Sequence, residues 1–362
     1  VRQWIRVFDE GAFFTAFSFL FGLGFALQII RAETTGRPFV LRYLWRLAIL
    51  CLIGIVHRIF IYGGDILIYL AVTGVPLLIV RRWRSDVILA LAAICLVYSL
   101  TPQTPDGRIW IRNRPEPAPH AAVVSPPPAW CEAVPGLTDR YRLLVCQRAA
   151  DVRDLFQDWL ANAQGGRGRQ FLVLCLFLLG LYAGRKRILH DVRGHTSLII
   201  GVAIGMLFLG LTSRGLEFYR IALPEPFTGW RHRGLGNLGM CLFYLSAATL
   251  AFTYWNAARR VLNPLGAVGR MALTNYLAQS VIFAVILGQG LGLIGGYAPR
   301  TSPSIGQWPT LLLILSVFVL QIVFSNWWFT RYEIGPVEWA WRSLTWFRAQ
   351  PFRKQQETRL AA

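Results

Sequence analysis

Charge is scarce in this chain. Only 15% of its 362 residues are Asp, Glu, Lys or Arg, where soluble domains carry about 25%. Lysine is nearly absent, with Lys186 and Lys354 alone, and acidic residues number 18. So few ionisable groups do not solvate the surface of a large water-soluble fold. Five histidines and six cysteines are scattered without any metal-ligand spacing. There is no HExxH, no Gly-rich phosphate loop and no GxSxG elbow, so the signatures of zinc peptidases, P-loop nucleotide enzymes and α/β-hydrolases are missing. No bound cofactor and no metal site is expected.

Apolar runs fill the space that charge leaves. Hydrophobic residues make up 55% of the chain and aromatics 14%, with 14 Trp and 12 Tyr suited to two interfacial belts. Nine runs stand out, approximately Ala12–Ile30, Leu41–Ile61, Ile66–Val80, Val87–Leu100, Phe171–Ala183, Ser197–Leu211, Leu235–Tyr254, Met271–Ile294 and Leu311–Phe329. A bilayer core of about 30 Å takes roughly 20 helical residues. Several runs meet that length, and those near 15 need their flanks. Backbone groups inside lipid must bond within their own segment, so the runs are helices. The expected fold is all-α, a polytopic transmembrane bundle of about nine spans. Four regions follow: N-terminal transmembrane helices over residues 1–100, a long exported loop over 101–169, C-terminal transmembrane helices over 170–330 and an interfacial tail over 331–362.

The net charge of +19 does not indicate nucleic acid, because the arginines sit in loops between apolar runs. Their distribution gives an orientation instead. Counted over the short loops and the tail, one side carries 20 basic residues and the other 8. Positively charged short loops stay inside. The C-terminus is therefore expected in the cytoplasm and the 101–169 loop outside, in a bacterial inner membrane. Nine spans would then begin the chain outside with no signal peptide ahead of it, so a parent of ten spans with one further helix before Val1 is expected.

The 101–169 loop divides in two. Its first part is Pro-rich and extended, including Pro126-Pro127-Pro128. In Leu137–Ala163, apolar residues such as Tyr141, Leu144, Val145, Val152 and Trp159 recur at helical spacing. This reads as an amphipathic helix over the outer mouth of the bundle, or as a lid on a site there. The loop holds Cys131 and Cys146, which on an oxidising side suit a disulfide. Cys51, Cys95, Cys175 and Cys241 lie in apolar runs and read as small buried residues.

Polar groups at membrane depth cost about 2.5–3.5 kcal/mol each on insertion scales and therefore mark candidate sites. Arg42, Arg46 and His57 share one face of the second run. Gly63-Gly64 breaks that helix, and Asp65 follows as a cap on the next, whose face continues through Tyr69 and Thr73. His57 and Asp65 are thus expected to meet across a tight hairpin. A carboxylate on one imidazole nitrogen makes a general base; a purely structural His–Asp contact is the competing reading. Arg214 and Glu217 stand three residues apart, as an ion pair or a substrate contact. Asn275 and Gln279 share a face that suits helix-to-helix hydrogen bonds or a ligand. Asn263-Pro264-Leu265-Gly266 reads as a turn feeding that span, and Arg270 as an anchor or a phosphate contact. Ile334–Phe347 is Trp-rich and amphipathic, an interfacial helix.

Two segments carry a resemblance. Gly269-Arg270-Met271-Ala272-Leu273-Thr274-Asn275-Tyr276-Leu277 with Gln279-Ser280, and Tyr332-Glu333-Ile334-Gly335-Pro336-Val337-Glu338-Trp339-Ala340-Trp341-Arg342-Ser343-Leu344, resemble signatures of the YeiB-like family of bacterial membrane proteins, domain of unknown function 418. Phe17–Phe25, and Ile53-Gly54 with His57 and Asp65-Ile66-Leu67, look like its N-terminal half. That family is similar in organisation to transmembrane acyltransferases of the heparan-glucosaminide acetyltransferase type. The resemblance implies an acyltransferase that takes an acyl group from a cytoplasmic thioester, with acyl-CoA as co-substrate, and gives it to an envelope glycan or lipid. His57 and Asp65 are the expected catalytic pair. Arg46, Tyr69, Arg214, Glu217, Arg270, Asn275 and Gln279 are the expected substrate or donor contacts. Two other classes stay open: a transporter whose permeation path these residues line, and a non-catalytic membrane assembly factor. The bilayer is the one partner common to all three.

Overall fold

The structure is a computed structural model, and it describes residues 12–36, 38–63, 65–100, 145–146, 148–150, 152, 167–218, 232–287 and 307–354. The described part of each of the nine apolar runs is mainly helical. In chain order the helices are α1 (Ala12–Thr35), α2 (Val40–Phe60), α3 (Leu67–Gly74), α4 (Leu77–Val80), α5 (Ser85–Leu100), α6 (Arg167–Arg185), α7 (Thr196–Phe218), α8 (His232–Tyr254), α9 (Asn256–Arg270), α10 (Ala272–Leu287), α11 (Gln307–Arg331) and α12 (Pro336–Trp346). Among the described residues there is no strand, only a single antiparallel bridge between Tyr332 and Arg353. Phe14–Thr35, Val40–Phe60, Thr196–Leu216, Gly234–Tyr254 and Leu311–Arg331 are long and apolar enough to cross a membrane; Leu67–Val80, Ser85–Leu100 and Gln170–Arg185 are shorter apolar helices. The run continuing α10 towards Ile294 lies partly outside the described residues.

Two details differ from the sequence reading. The third run is helical over Leu67–Val80 but tightens at Val75-Pro76, where Pro76 lacks an N–H, and this turn separates α3 from α4. Conversely, Pro264 does not make a turn. It sits inside α9, which continues to Arg270, and the chain breaks at Met271. Proline removes a donor but keeps its carbonyl, and Asn326 of α11 donates to that carbonyl at 3.0 Å.

The core joins helices from both sides of the long loop. Phe25, Tyr43, Leu47, Leu77, Phe177 and Leu181 are buried together from α1, α2, α4 and α6. α1 and α6 pack at backbone contact. A Cβ on Gly22 would fall on the carbonyl oxygen of Phe177, and one on Gly180 on that of Phe19. Lipid tails are as apolar as leucine, so small residues that allow such close approach drive helix pairing in membranes. α7 pairs with α8 in the second extensive contact, and α1 also touches α8. The outer face is oily: Phe208 is 74% exposed, Ile204 66% and Leu320 66%. Water penalises contiguous apolar surface of this kind, whereas lipid does not. The protein is an integral membrane protein.

The tail helix α12 docks against α2 and α10. Trp341 donates its indole N–H to the Arg46 carbonyl at 3.1 Å, and Trp45 donates to Leu344 at 3.0 Å. The guanidiniums of Arg46 and Arg42 lie over the rings of Trp341 and Trp346. This closes one end of the α2, α3 and α10 group. α2 and α3 join through the turn between Phe60 and Leu67, which Tyr276 of α10 also reaches.

Candidate functional site

At that turn α2 runs out through His57, Arg58 and Phe60, and α3 begins at Leu67. His57 Nδ1 and Asp65 Oδ1 are 2.8 Å apart, with the residues 1% and 2% exposed. The other carboxylate oxygen, Oδ2, accepts the Ile68 N–H at 3.0 Å. Asp65 therefore has two tasks. It satisfies an orphan donor in the first turn of α3, where the helix dipole favours negative charge, and it holds the imidazole. Gly54, nearly one turn before His57, makes room for this. A Cβ there would lie 2.9 Å from Asp65 Oδ2 and 2.9 Å from the Ile68 nitrogen.

A third group completes the set. Tyr276 of α10 donates its hydroxyl to Asp65 Oδ1 at 3.3 Å and accepts the Ile66 N–H at 3.4 Å. Its ring centroid lies 5.2 Å from that of His57. The sequence reading did not select Tyr276. Asn275 and Gln279 share one face of α10, and Tyr276 lies one residue, about 100° of helix, off that face. Its signal was its place in the quoted motif, and nothing local assigned it to Asp65. Tyr69 occupies no such position; it is half-buried on α3.

With Asp65 on Nδ1, the neutral ring carries its proton there and keeps a lone pair on Nε2. Nε2 is buried and has no hydrogen-bond partner among the described residues. An oriented imidazole with one unused nitrogen can take a proton from a substrate and return it. Over the same turn lies the piece of the long loop that is described. Residues 145–146, 148–150 and 152 are helical, and Arg148 donates to the Ile61 carbonyl at 3.3 Å. Cys146 is disulfide-bonded, whereas Cys51, Cys95, Cys175 and Cys241 are free. Its expected partner Cys131 lies outside the described residues, as does most of the expected amphipathic helix Leu137–Ala163.

The other candidate residues have partners elsewhere. Asn275 donates to Ser325 Oγ at 3.1 Å and to the Val268 carbonyl at 3.3 Å, while Gln321 donates to its backbone carbonyl at 2.9 Å. These bonds tie α10 to α11 and α9. Gln279 is half-buried on α10. Arg214 is buried and donates to the Asn237 side chain, between α7 and α8. The side chain of Glu217 lies outside the described residues. Arg270 is exposed, with its guanidinium 4.0 Å from the centroid of Phe329. Arg46 sits at the opposite end of α2 from His57, eleven residues or roughly 16 Å of helix away. Among the described residues no group of three or more His, Cys, Asp or Glu could hold a metal ion.

The chain is similar to proteins of one family. Residues 183–348 match the family described as "Protein of unknown function (DUF418)". The chain is 28% identical over 369 residues to "Uncharacterized protein YxaH" of Bacillus subtilis (strain 168), covering 97% of this chain and 83% of that one. It is 25% identical over 374 residues to "Uncharacterized 39.9 kDa protein in amylase 3'region" of Bacillus acidopullulyticus, covering 98% and 86%. It is 26% identical over 364 residues to "Uncharacterized protein YeiB" of Escherichia coli (strain K12), covering 94% and 83%. No solved structure matches it.

Proposed function

We propose that this chain, which belongs to the YeiB-like DUF418 family, is a membrane-embedded acyltransferase that uses His57 as its general base. One observation carries the reading: a buried imidazole held on Nδ1 by Asp65, with Nε2 unpartnered. The reaction is transfer from a thioester such as acyl-CoA to a hydroxyl acceptor on an envelope glycan or lipid. Nε2 takes the hydroxyl proton as the acceptor oxygen attacks the thioester carbonyl. The new C–O bond forms, the C–S bond breaks, and the same proton leaves on the thiolate. Asp65 stabilises the imidazolium during the step, and Tyr276 holds Asp65. On this reading the outer end, with the 101–169 loop, faces away from the cytoplasm of a bacterial inner membrane. The donor arrives from the arginine-rich end, which carries Arg46 and Arg270.

The test is acyl transfer by purified protein in liposomes, supplied with acyl-labelled acyl-CoA and an envelope extract. Labelled acceptor should accumulate with the wild type and be lost in His57→Ala and Asp65→Asn. The double variant should be no worse than either alone, because residues acting as a unit lose their value at the first removal. Substrate flux in sealed vesicles with no thioester binding and no acylated product would replace this reading with transport.

A further inference from the structure

Away from the His57 site, four arginines converge on one cavity. Arg81 and Arg82 from the α4–α5 connection, with Arg185 and Arg187 from the end of α6, line a space of about 760 Å³ together with Glu33 at the end of α1. The floor includes Ile29 and Ile30. Glu33 is the one carboxylate in the lining, and among the described residues none of the four arginines is in an ion pair. Positive charge therefore exceeds negative by three around this space.

Two of the guanidiniums are fixed by the backbone. Arg185 donates to the carbonyls of Trp83 and Arg81, and Arg81 donates to the Leu78 carbonyl at 2.8 Å. These bonds orient the groups without neutralising them, and Glu33 offsets part of the charge of Arg185. Arg187 is unusual in a different way. It ends α6 in the left-handed region, with φ of 53°, and the Ile188 N–H bonds back to the Ala183 carbonyl at 3.1 Å. Glycine is the ordinary residue at such a cap. An arginine held there at a conformational cost points to use of its side chain.

We propose that this cavity binds a phosphate-bearing molecule that also has an apolar part. Guanidinium groups match phosphate geometry through paired N–H donors, and the isoleucines accept the apolar portion. The chemistry is shared by a soluble phosphate ester and by a phospholipid headgroup. Simple membrane anchoring needs only exposed basic residues, and it does not need them gathered around one space.

The experiment titrates purified full-length protein in maltoside detergent with inorganic pyrophosphate and, separately, with phosphatidylglycerol in mixed micelles, following thermal stabilisation. Saturable binding of at least one probe is expected. Pyrophosphate binding assigns a soluble ligand, and phosphatidylglycerol binding alone assigns a headgroup. Arg82→Gln should weaken binding about tenfold, in line with one lost charged hydrogen bond. Glu33→Gln should tighten it. Arg187→Gly should weaken it while raising the melting temperature of the unliganded protein, so a folding defect cannot imitate the result. Arg84→Gln is the control, since Arg84 lies in the same connection but pairs with Asp86 at 3.4 Å, outside the lining. Failure of both probes to saturate would overturn the proposal. So would an Arg84→Gln variant that weakens binding as much as Arg82→Gln.

Discussion

Thr274 and Glu338 cap each other's helices. The Thr274 hydroxyl donates to Glu338 at 2.5 Å and accepts the Val337 N–H at 3.1 Å. Glu338 also accepts the N–H groups of Leu273 at 2.7 Å and Thr274 at 3.0 Å. The first turn of α10 has orphan donors, and a carboxylate from the tail supplies what no residue of α10 does. Glu338 is 9% exposed, so these bonds are sheltered from water. Glu338→Ala should destabilise the protein by about 2–3 kcal/mol, the cost of stranding buried donors. Glu338→Gln, which keeps one acceptor oxygen, should recover part of that. Thermal unfolding in detergent measures both, and an unchanged midpoint for the alanine variant would make the tail a passenger.

Tyr276 offers a graded test of the His57 site. Tyr276→Phe removes one hydroxyl and keeps the ring beside His57. It deprives Asp65 of a donor and leaves the 2.8 Å contact to His57 in place. Acyl transfer should fall about tenfold, matching one lost hydrogen bond to a charged group, while His57→Ala abolishes it. Equal losses in the two variants would mean that the tyrosine is part of the chemistry. No loss would mean that Asp65 is held by Ile68 and His57 alone.

How far these contacts can be read from the sequence depends on their separation along the chain. His57 and Asp65 are eight residues apart, and one glycine-broken hairpin fixes their meeting, so local spacing was enough to expect it. Tyr276 lies 211 residues from Asp65, Trp341 lies 295 from Arg46, and Glu338 lies 64 from Thr274. Those meetings depend on how whole helices pack, which no local period encodes. The helices themselves were legible because lipid imposes one backbone solution on a long apolar run. Pro264 misled for a related reason. A proline motif reads as a turn in isolation, but here the helix runs on through Pro264 to Arg270, and Asn326 of a neighbouring helix bonds the Pro264 carbonyl.

Gly54 and Gly24 form a matched pair of variants. A Cβ on Gly54 would press on the Ile68 nitrogen, which as backbone does not yield, and on Asp65. One on Gly24 would meet nothing within 4 Å. Gly54→Ala should cost about 1–3 kcal/mol as an overpacked contact and should sharply reduce transfer, because Asp65 is displaced from His57. Gly24→Ala should be neutral, or stabilising by up to about 1 kcal/mol from helix propensity. Indistinguishable behaviour of the two would remove the steric argument for the site.

The charge bias makes a topological prediction. A membrane-impermeant maleimide applied to intact cells should label Ser125→Cys, in the long loop, and spare Lys186→Cys, which is exposed at the end of α6. Permeabilised cells should label both. The opposite pattern would invert the bundle and place the His57 site on the cytoplasmic side.

Cys146 lies two residues before Arg148, the residue that fastens the loop to the α2–α3 turn. Its disulfide therefore bears on the loop segment that touches the α2–α3 turn. We expect the partner to be Cys131, 15 positions earlier, and a bridge of that span contributes about 3 kcal/mol in the chain-entropy model. Non-reducing peptide mapping should recover the two cysteines in one linked peptide. Cys131→Ser should then raise hydrogen exchange across residues 145–152 and leave α1 and α6 unchanged, since those helices are held by their own glycine contact. Free thiols at both positions in protein purified without reductant would sink the pairing. Unchanged exchange in Cys131→Ser would show that Arg148 holds the segment without the bridge.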